Sequence, residues 1–315
     1  MKATVRIGTR ESQLAIWQAA EVKRLLASHQ IISEFVYIKS EGDINLTTPI
    51  YQMGVQGVFT KALDIALLNN EIDIAVHSMK DVPIQLAAGI VQAAVLKRAS
   101  YKDILVYNGT REAVTEILDN GTMEPSPMFT IATSSVRRKA QWLHRYPHHT
   151  IENLRGNVNT RLKKLKNNNW NGAVFAAAGL ERIFLRPHNT IELDWMLPAP
   201  AQGAIMVVCR EADMELRKAC SLFNDATTAL CVQAERDFLK TLMGGCSTPI
   251  SALAQIKNGS IEFKGNIFSL DGKEKVEVEK LMDIHAANTI GAVAANEILN
   301  NGGRAIADQI QHAAK

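Results

Sequence analysis

The 315-residue chain lacks most of the features that would settle its class at a glance. It has no run of about 18 consecutive apolar residues, which excludes a transmembrane helix. Aromatic residues make up only 6%, too few to suggest a stacking platform for bases. A net charge of +3 is too weak to mark a nucleic-acid-binding protein. No G-x-x-x-x-G-K-[ST] phosphate loop occurs. The four cysteines, Cys209, Cys220, Cys231 and Cys246, form no C-x-x-C pair and have no histidine at ligand spacing, so no metal site is expected. Reduced thiols fit a cytoplasmic setting. The opening segment, Met1 to Arg6, runs directly into a strand pattern without an apolar core of the kind a secretory leader carries.

What is present is ordinary globular composition, 47% hydrophobic and 21% charged. At about 150 residues per domain the length suggests two to three compact units. Thr4–Gly8 reads as a strand, and a helix follows to about Ala27 with Thr9 or Ser12 as N-cap. Phe35–Ile38 is a second strand, Phe59–Asn70 a helix and Ile72–Val76 a buried strand. The alternation restarts with strands at Phe129–Ala132, Thr150–Leu154 and Ala173–Ala177, separated by helices ending near Arg145 and Asn167. Such βα alternation predicts mostly parallel sheets covered by helices. The apolar run Ala204–Val208 has no home in the second unit and is expected to return to the first sheet. The chain then crosses twice between two lobes, near 98–101 and 196–200, which allows hinge closure on a ligand. From Thr227 onward the pattern changes to a long helix, then β segments joined at Asn258-Gly259 and Asp271-Gly272, then a helix from about Ala286 stopped by Gly302-Gly303. The expected fold class is α/β: two periplasmic-binding-protein-like lobes with mostly parallel sheets, plus a small α+β C-terminal domain with a three-stranded antiparallel sheet. The expected limits are 1–97 with 199–220, 102–195, and 223–315.

In open parallel sheets ligands bind beyond the carboxyl ends of the strands, where helix N-termini favour anions. Four such junctions here combine hydroxyls or amides with cations: Thr9-Arg10; Ser78-Met79-Lys80-Asp81; Thr133-Ser134-Ser135-Val136-Arg137-Arg138; and Arg155-Gly156-Asn157 through Arg161. Any one arginine reads most simply as a surface charge. All of them at the same topological place imply a ligand with several negative groups, carboxylates or phosphates. Asp81 is an acid in this basic company. It pairs with Lys80, caps a turn, or stabilises a reacting centre that becomes cationic. Cys246, between Gly245 and Ser247 after the long helix, sits on a loop where a thiol can serve as nucleophile or attachment point. The other three cysteines are expected to pack as small hydrophobes. His77 and the pair His148-His149 are expected to serve structure or solvent.

The segments His77–Pro83, Thr133–Arg138, Leu154–Leu162 and Gly244–Ile250 resemble the hydroxymethylbilane synthase (porphobilinogen deaminase) family, in order and across essentially the whole chain, with Gly8–Ser12 and Ala234–Arg236 adding to the match. The resemblance implies that four porphobilinogen molecules join head to tail with loss of ammonia, and that water releases the linear tetrapyrrole. It implies a covalent dipyrromethane cofactor, thioether-linked to Cys246, that primes the chain. It implies that Asp81 is catalytic, holding pyrrole N–H groups and stabilising the azafulvene cation. The implied carboxylate-binding set is Arg10, Ser12, Ser78, Lys80, Thr133, Ser134, Ser135, Arg137, Arg138, Arg155, Gly156, Asn157, Arg161 and Gln202. A cytoplasmic monomer, with no nucleic-acid or membrane partner, is implied as well. The chain departs from the family pattern at Gln56, where the loop usually carries lysine, and at Ala62, Ala132 and Ala201. Two alternatives share the bilobal build. A solute-binding protein for a polycarboxylate would use the arginines but needs neither Asp81 nor Cys246. A transcriptional effector domain would require a helix-turn-helix unit, and the chain opens on a strand instead.

Overall fold

The computed structural model describes residues 4–40, 57, 59–120, 128–242, 244 and 248–313. The chain opens with β1 (Val5–Thr9), α1 (Gln13–Ser28), β2 (Ser33–Tyr37), α2 (Lys61–Leu68), β3 (Ile74–Ser78), one 3-10 turn at Met79–Asp81, and β4 (Ile90–Val95). It crosses to a second lobe of β5 (Asp103–Tyr107), α3 (Arg111–Asn120), β6 (Thr130–Ala132), α4 (Val136–Arg145), β7 (Thr150–Glu152), α5 (Val158–Asn167), β8 (Gly172–Ala176), α6 (Ala177–Glu181) and β9 (Thr190–Glu192). It then returns through β10 (Ile205–Arg210) and α7 (Met214–Ser221). The last part comprises α8 (Ala226–Thr241), β11 (Ile250–Lys257), β12 (Ser260–Phe268), β13 (Lys275–Asp283), α9 (Ala287–Ile298) and α10 (Arg304–Ala313).

The first sheet has the order β2-β1-β3-β10-β4 and the second β7-β6-β8-β5-β9. In each, one strand runs against the other four: β10 is antiparallel to β3 and β4, and β5 is antiparallel to β8 and β9. These two odd strands are the first elements after each crossing of the chain. The expected return of the apolar run after Ala204 is therefore seen, one strand over from β3. Its composition explains why. Ile205, Val207 and Cys209 face one core with α1 and α7, while Met206 and Val208 face another with α2. A strand buried on both faces reads as an unbroken apolar run, and each such side chain contributes about 1.5–3 kcal/mol by leaving water. The second lobe is built the same way. Leu105, Ile131 and Val174 pack under Trp142 of α4, and Ile104, Ala132 and Phe175 pack under Leu165 of α5 and Leu180 of α6.

The third unit is an antiparallel meander, β11-β12-β13, with α8, α9 and α10 on its inner face around Phe238, Phe263 and Ile290. Asn258 and Gly259 take φ values of 50° and 78°, the paired left-handed conformation that closes a two-residue hairpin between Lys257 and Ser260. α9 stops near the expected place, but the chain bends at Asn301–Gly302 and resumes as α10, whose Ile306 and Ile310 complete the core. β4, β5, α3, β9, α7 and α10 were not assigned from sequence. β4 and β9 are the edge strands of their sheets. Among the described residues no helix is long and apolar enough to cross a membrane.

Candidate active site

The four cation-bearing junctions all lie past the carboxyl ends of β1, β3, β6 and β7. In the first lobe, Arg10 follows β1 and its guanidinium lies over the Phe59 ring at 4.3 Å. Ser12 accepts from the Ala15 amide at 3.3 Å and so starts α1. Ser78 ends β3 and exchanges hydrogen bonds with Gln18, a buried glutamine of α1, at 2.8 and 3.3 Å. The 3-10 turn then presents Lys80 and Asp81. Among the described residues the Asp81 carboxylate accepts no hydrogen bond and caps no turn; it acts on Lys80 and Arg161 through its charge. The two structural roles open to Asp81, a close ion pair with Lys80 or a cap, are therefore not the ones it fills.

In the second lobe much of the expected set is also local scaffolding. The Ser135 hydroxyl caps α4 by accepting from the Arg138 amide at 3.4 Å, and the Asn157 side chain caps α5 by accepting from the Thr160 amide at 3.0 Å. Thr133 accepts from the Ser135 amide at 3.2 Å, and Ser134 accepts from the Leu154 amide at 3.0 Å, tying the β6 junction to the β7 junction. Gly156 has φ of +110°, and a Cβ there would lie 2.6 Å from the Thr160 methyl. Its glycine is required by the backbone that turns into α5. Arg161 donates Nε–H to the Gly156 carbonyl at 2.8 Å.

Arg137 and Arg138 meet an acid that sequence reasoning missed. Asp103, the first residue of β5, is 0% exposed. Arg138 places Nη2 at 2.7 Å and Nε at 3.1 Å from its Oδ1, and Arg137 places Nη2 at 2.8 Å from Oδ2. Gln202, also fully buried, donates to the same Oδ1 at 2.9 Å and to the Tyr101 carbonyl at 2.7 Å, while its Oε1 receives Lys80 Nζ at 3.3 Å. A continuous chain thus runs from Lys80 in the first lobe, through Gln202 in the second crossing, to Asp103 and the arginine pair. Arg138 spends its remaining Nη1 on the Val174 carbonyl at 2.9 Å. Arg137 donates Nη1 to the Leu197 carbonyl at 2.8 Å, and its buried Nε–H has no acceptor among the described residues. The one signal for Asp103 in the sequence is an acid set directly before four apolar residues, Ile104 to Tyr107.

Electrostatics show that the two lobes face one another. Burial pushes the Lys80 ammonium down to about 8; Arg138 and Arg137 act in the same direction, and Asp81 and Asp103 oppose it. Burial pushes Arg161 down to about 10, with Arg138 and Arg155 adding to the fall and Asp81 resisting it. Burial likewise lowers Arg155. For Asp103, burial alone would favour the neutral acid, but Arg137 and Arg138 outweigh it and hold the carboxyl well below its usual range. Desolvated guanidiniums crowded together are a site that gains by taking up anions. Burial and Arg10 push the His77 imidazole down to about 4, so it is neutral. Cys209, Cys220 and Cys231 are buried free thiols that burial pushes up to about 11, 12 and 11, which leaves them inert packing groups as expected. Cys246 and Gln56 lie outside the described residues.

α8 supplies two further residues that tie the units together. Glu235, fully buried, takes an ion pair from Arg98 at 2.5 Å and accepts the Ala201 and Ala254 amides at 2.6 and 2.8 Å. Arg98 lies in the first crossing and Ala201 in the second, so one carboxylate fastens both crossings to the third unit. Its neighbour Arg236 reaches the segment just after Asp81.

Two family models match the chain. One, described as porphobilinogen deaminase, dipyromethane cofactor binding domain, covers residues 5–218, and the other, porphobilinogen deaminase, C-terminal domain, covers residues 229–300. A curated relative from Chloroherpeton thalassium, named porphobilinogen deaminase, is 37% identical over 315 residues, covering 95% of this chain and 98% of its own. Another of the same name, from Pelobacter propionicus, is 37% identical over 310 residues, covering 97% of each. Among solved structures, the VFT2 domain of Bordetella pertussis BvgS aligns with a TM-score of 0.41 at 14% identity, over 72% of this chain and 91% of that one.

Proposed function

The chain belongs to the porphobilinogen deaminase family, and from that premise we propose that its interlobe arginine cluster, centred on Asp81, is where the pyrrole chain is built. The activity is that of a hydroxymethylbilane synthase, a transferase of tetrapyrrole biosynthesis: porphobilinogen units condense head to tail with loss of ammonia, and hydrolysis releases the product. The cofactor is dipyrromethane, which when bound supplies the pyrrole α-carbon to which the first unit is joined.

The residues of the crevice fit such a group. Each pyrrole brings an acetate and a propionate arm, and the crevice offers desolvated guanidiniums and a buried Arg137 Nε–H with no acceptor among the described residues. Arg10, Lys80, Arg137, Arg155 and Arg161 take the carboxylates of primer and growing chain. Arg138 and Gln202, bound to Asp103, set the positions of Arg137 and Lys80. Ser12, Ser78, Thr133, Ser134, Ser135, Gly156 and Asn157 order the helix starts and loop backbones that carry those cations and present hydroxyls and amides beside them. Asp81 holds pyrrole N–H groups and stabilises the positive charge left when ammonia departs from the substrate. Cys246 is the point of attachment. The remaining parts of the reading are a monomeric, cytoplasmic enzyme without nucleic-acid or membrane partners, divided at 1–97 with 199–220, 102–195 and 223–315.

One observation carries the proposal. Asp81 is an acid among desolvated cations whose carboxylate is not consumed by a hydrogen bond among the described residues. A solute-binding site for polycarboxylates gains nothing from it. Intact-mass measurement tests the reading. The protein as isolated carries an adduct of two linked pyrroles, and Cys246→Ser protein carries none; equal masses, corrected for the substitution, refute it.

A further inference from the structure

The turn that bears Asp81 is short. Met79–Asp81 is a single 3-10 turn, and Pro83 keeps it so, because the residue before a proline is driven to extended backbone; Val82 sits at φ −84° and ψ 129°. Its incoming end is held within the first lobe, where the Met79 amide donates to the Ala204 carbonyl at 3.1 Å and the Met79 side chain is buried in the core. Its outgoing end is held from elsewhere. Arg236, on α8, is 7% exposed and donates Nη1 to the Val82 carbonyl at 3.1 Å and Nη2 to the Pro83 and Ile84 carbonyls at 2.6 and 3.0 Å. Among the described residues no backbone amide reaches those three carbonyls. Val232, one helical turn earlier on α8, packs in the same core as Met79 and Val82, so the helix is fixed against the turn by apolar contact as well.

We propose that Arg236 is a positioning residue for Asp81: its guanidinium, reaching in from α8, sets the direction in which the Met79–Asp81 turn presents the Asp81 carboxylate. The proposal rests on the reading of Asp81 given above and adds a residue to it. These three acceptors are spread along the backbone, so it is the fork of the guanidinium that spans them. Lysine carries its three N–H donors on one nitrogen and cannot reproduce the spacing of Nη1 and Nη2.

The test uses the full chain carrying its primer, with Arg236→Gln, Arg236→Lys, Asp81→Glu and the double variants. Arg236→Gln and Arg236→Lys keep the primer by intact mass. Both lose kcat by about 100-fold, the cost of a misplaced catalytic group, while KM changes by less than about threefold because carboxylate binding is untouched. Asp81→Glu displaces the carboxylate by itself, so adding Arg236→Gln to it lowers kcat by no more than about twofold further. Full multiplication of the two effects overturns the assignment of Arg236 and leaves Asp81 standing. So does a wild-type kcat in either Arg236 variant, or a loss confined to KM. Asp81→Glu at the wild-type rate overturns the reading of Asp81 and this proposal together. If Arg236→Gln does not fold, Arg236→Lys carries the same comparison.

Discussion

Asp103→Asn isolates the acid beneath the arginine pair. The substitution keeps the shape and one carbonyl oxygen, so Arg138 and Gln202 retain an acceptor where Oδ1 now sits at 2.7 and 2.9 Å. It removes the charge that balances two guanidiniums whose side chains are only 5% and 6% exposed. Stripping one partner from a buried ion pair costs about 3–5 kcal/mol, because the remaining charge stays buried and uncompensated. The retained oxygen places this variant at the lower end, about 3 kcal/mol. At roughly 2–4 °C per kcal/mol for a unit of this size, the melting temperature falls by about 6–12 °C. Circular dichroism melts at neutral pH measure it. The pH dependence gives a second check. Asp103 is held below its ordinary value in the folded protein, so its contribution is fully present above the unfolded carboxyl value of about 3.9 and is lost as pH falls through the lower folded value. The gap between wild type and Asp103→Asn therefore stays constant down to about pH 5 and closes only at greater acidity. Adding Arg137→Met, which removes one of the stranded cations, restores part of the loss. A melting temperature within about 1 °C of wild type, or a gap that closes near neutrality, refutes the argument that Asp103 is the counter-charge of the pair.

Asp81→Ala lowers kcat by about 10²–10³-fold or more, as expected for loss of a charge aimed at a developing cation. It changes the melting temperature little, since among the described residues the side chain makes no hydrogen bond; steady-state kinetics and a thermal melt check both halves. Lys80, with a value near 8, loses its charge as pH rises through that point. The KM for porphobilinogen therefore climbs through the same interval in wild type and stays flat in Lys80→Gln. An equal alkaline rise in both variants assigns the effect to another group.

The amino-acid order by itself determined much of this protein. The doubly buried run at Ile205–Val208, the Asn258-Gly259 hairpin, the caps at Ser12, Ser135 and Asn157, and the gathering of cations at four strand ends all follow from patterns a few residues long. Periodicity, capping and turn chemistry act locally, and so they are written locally. The tertiary structure alone decided which groups those cations meet. Arg138 finds Asp103 across 35 residues, Lys80 finds Gln202 across 122, and Arg236 finds Val82 across 154. It also separated residues that look alike in sequence, leaving the Asp81 carboxylate without a hydrogen bond among the described residues while committing Arg138 and Gln202 to Asp103. The reason is desolvation. A charge becomes costly, and its partner becomes necessary, only when folding has removed the water around it, and no short stretch of sequence records where that happens.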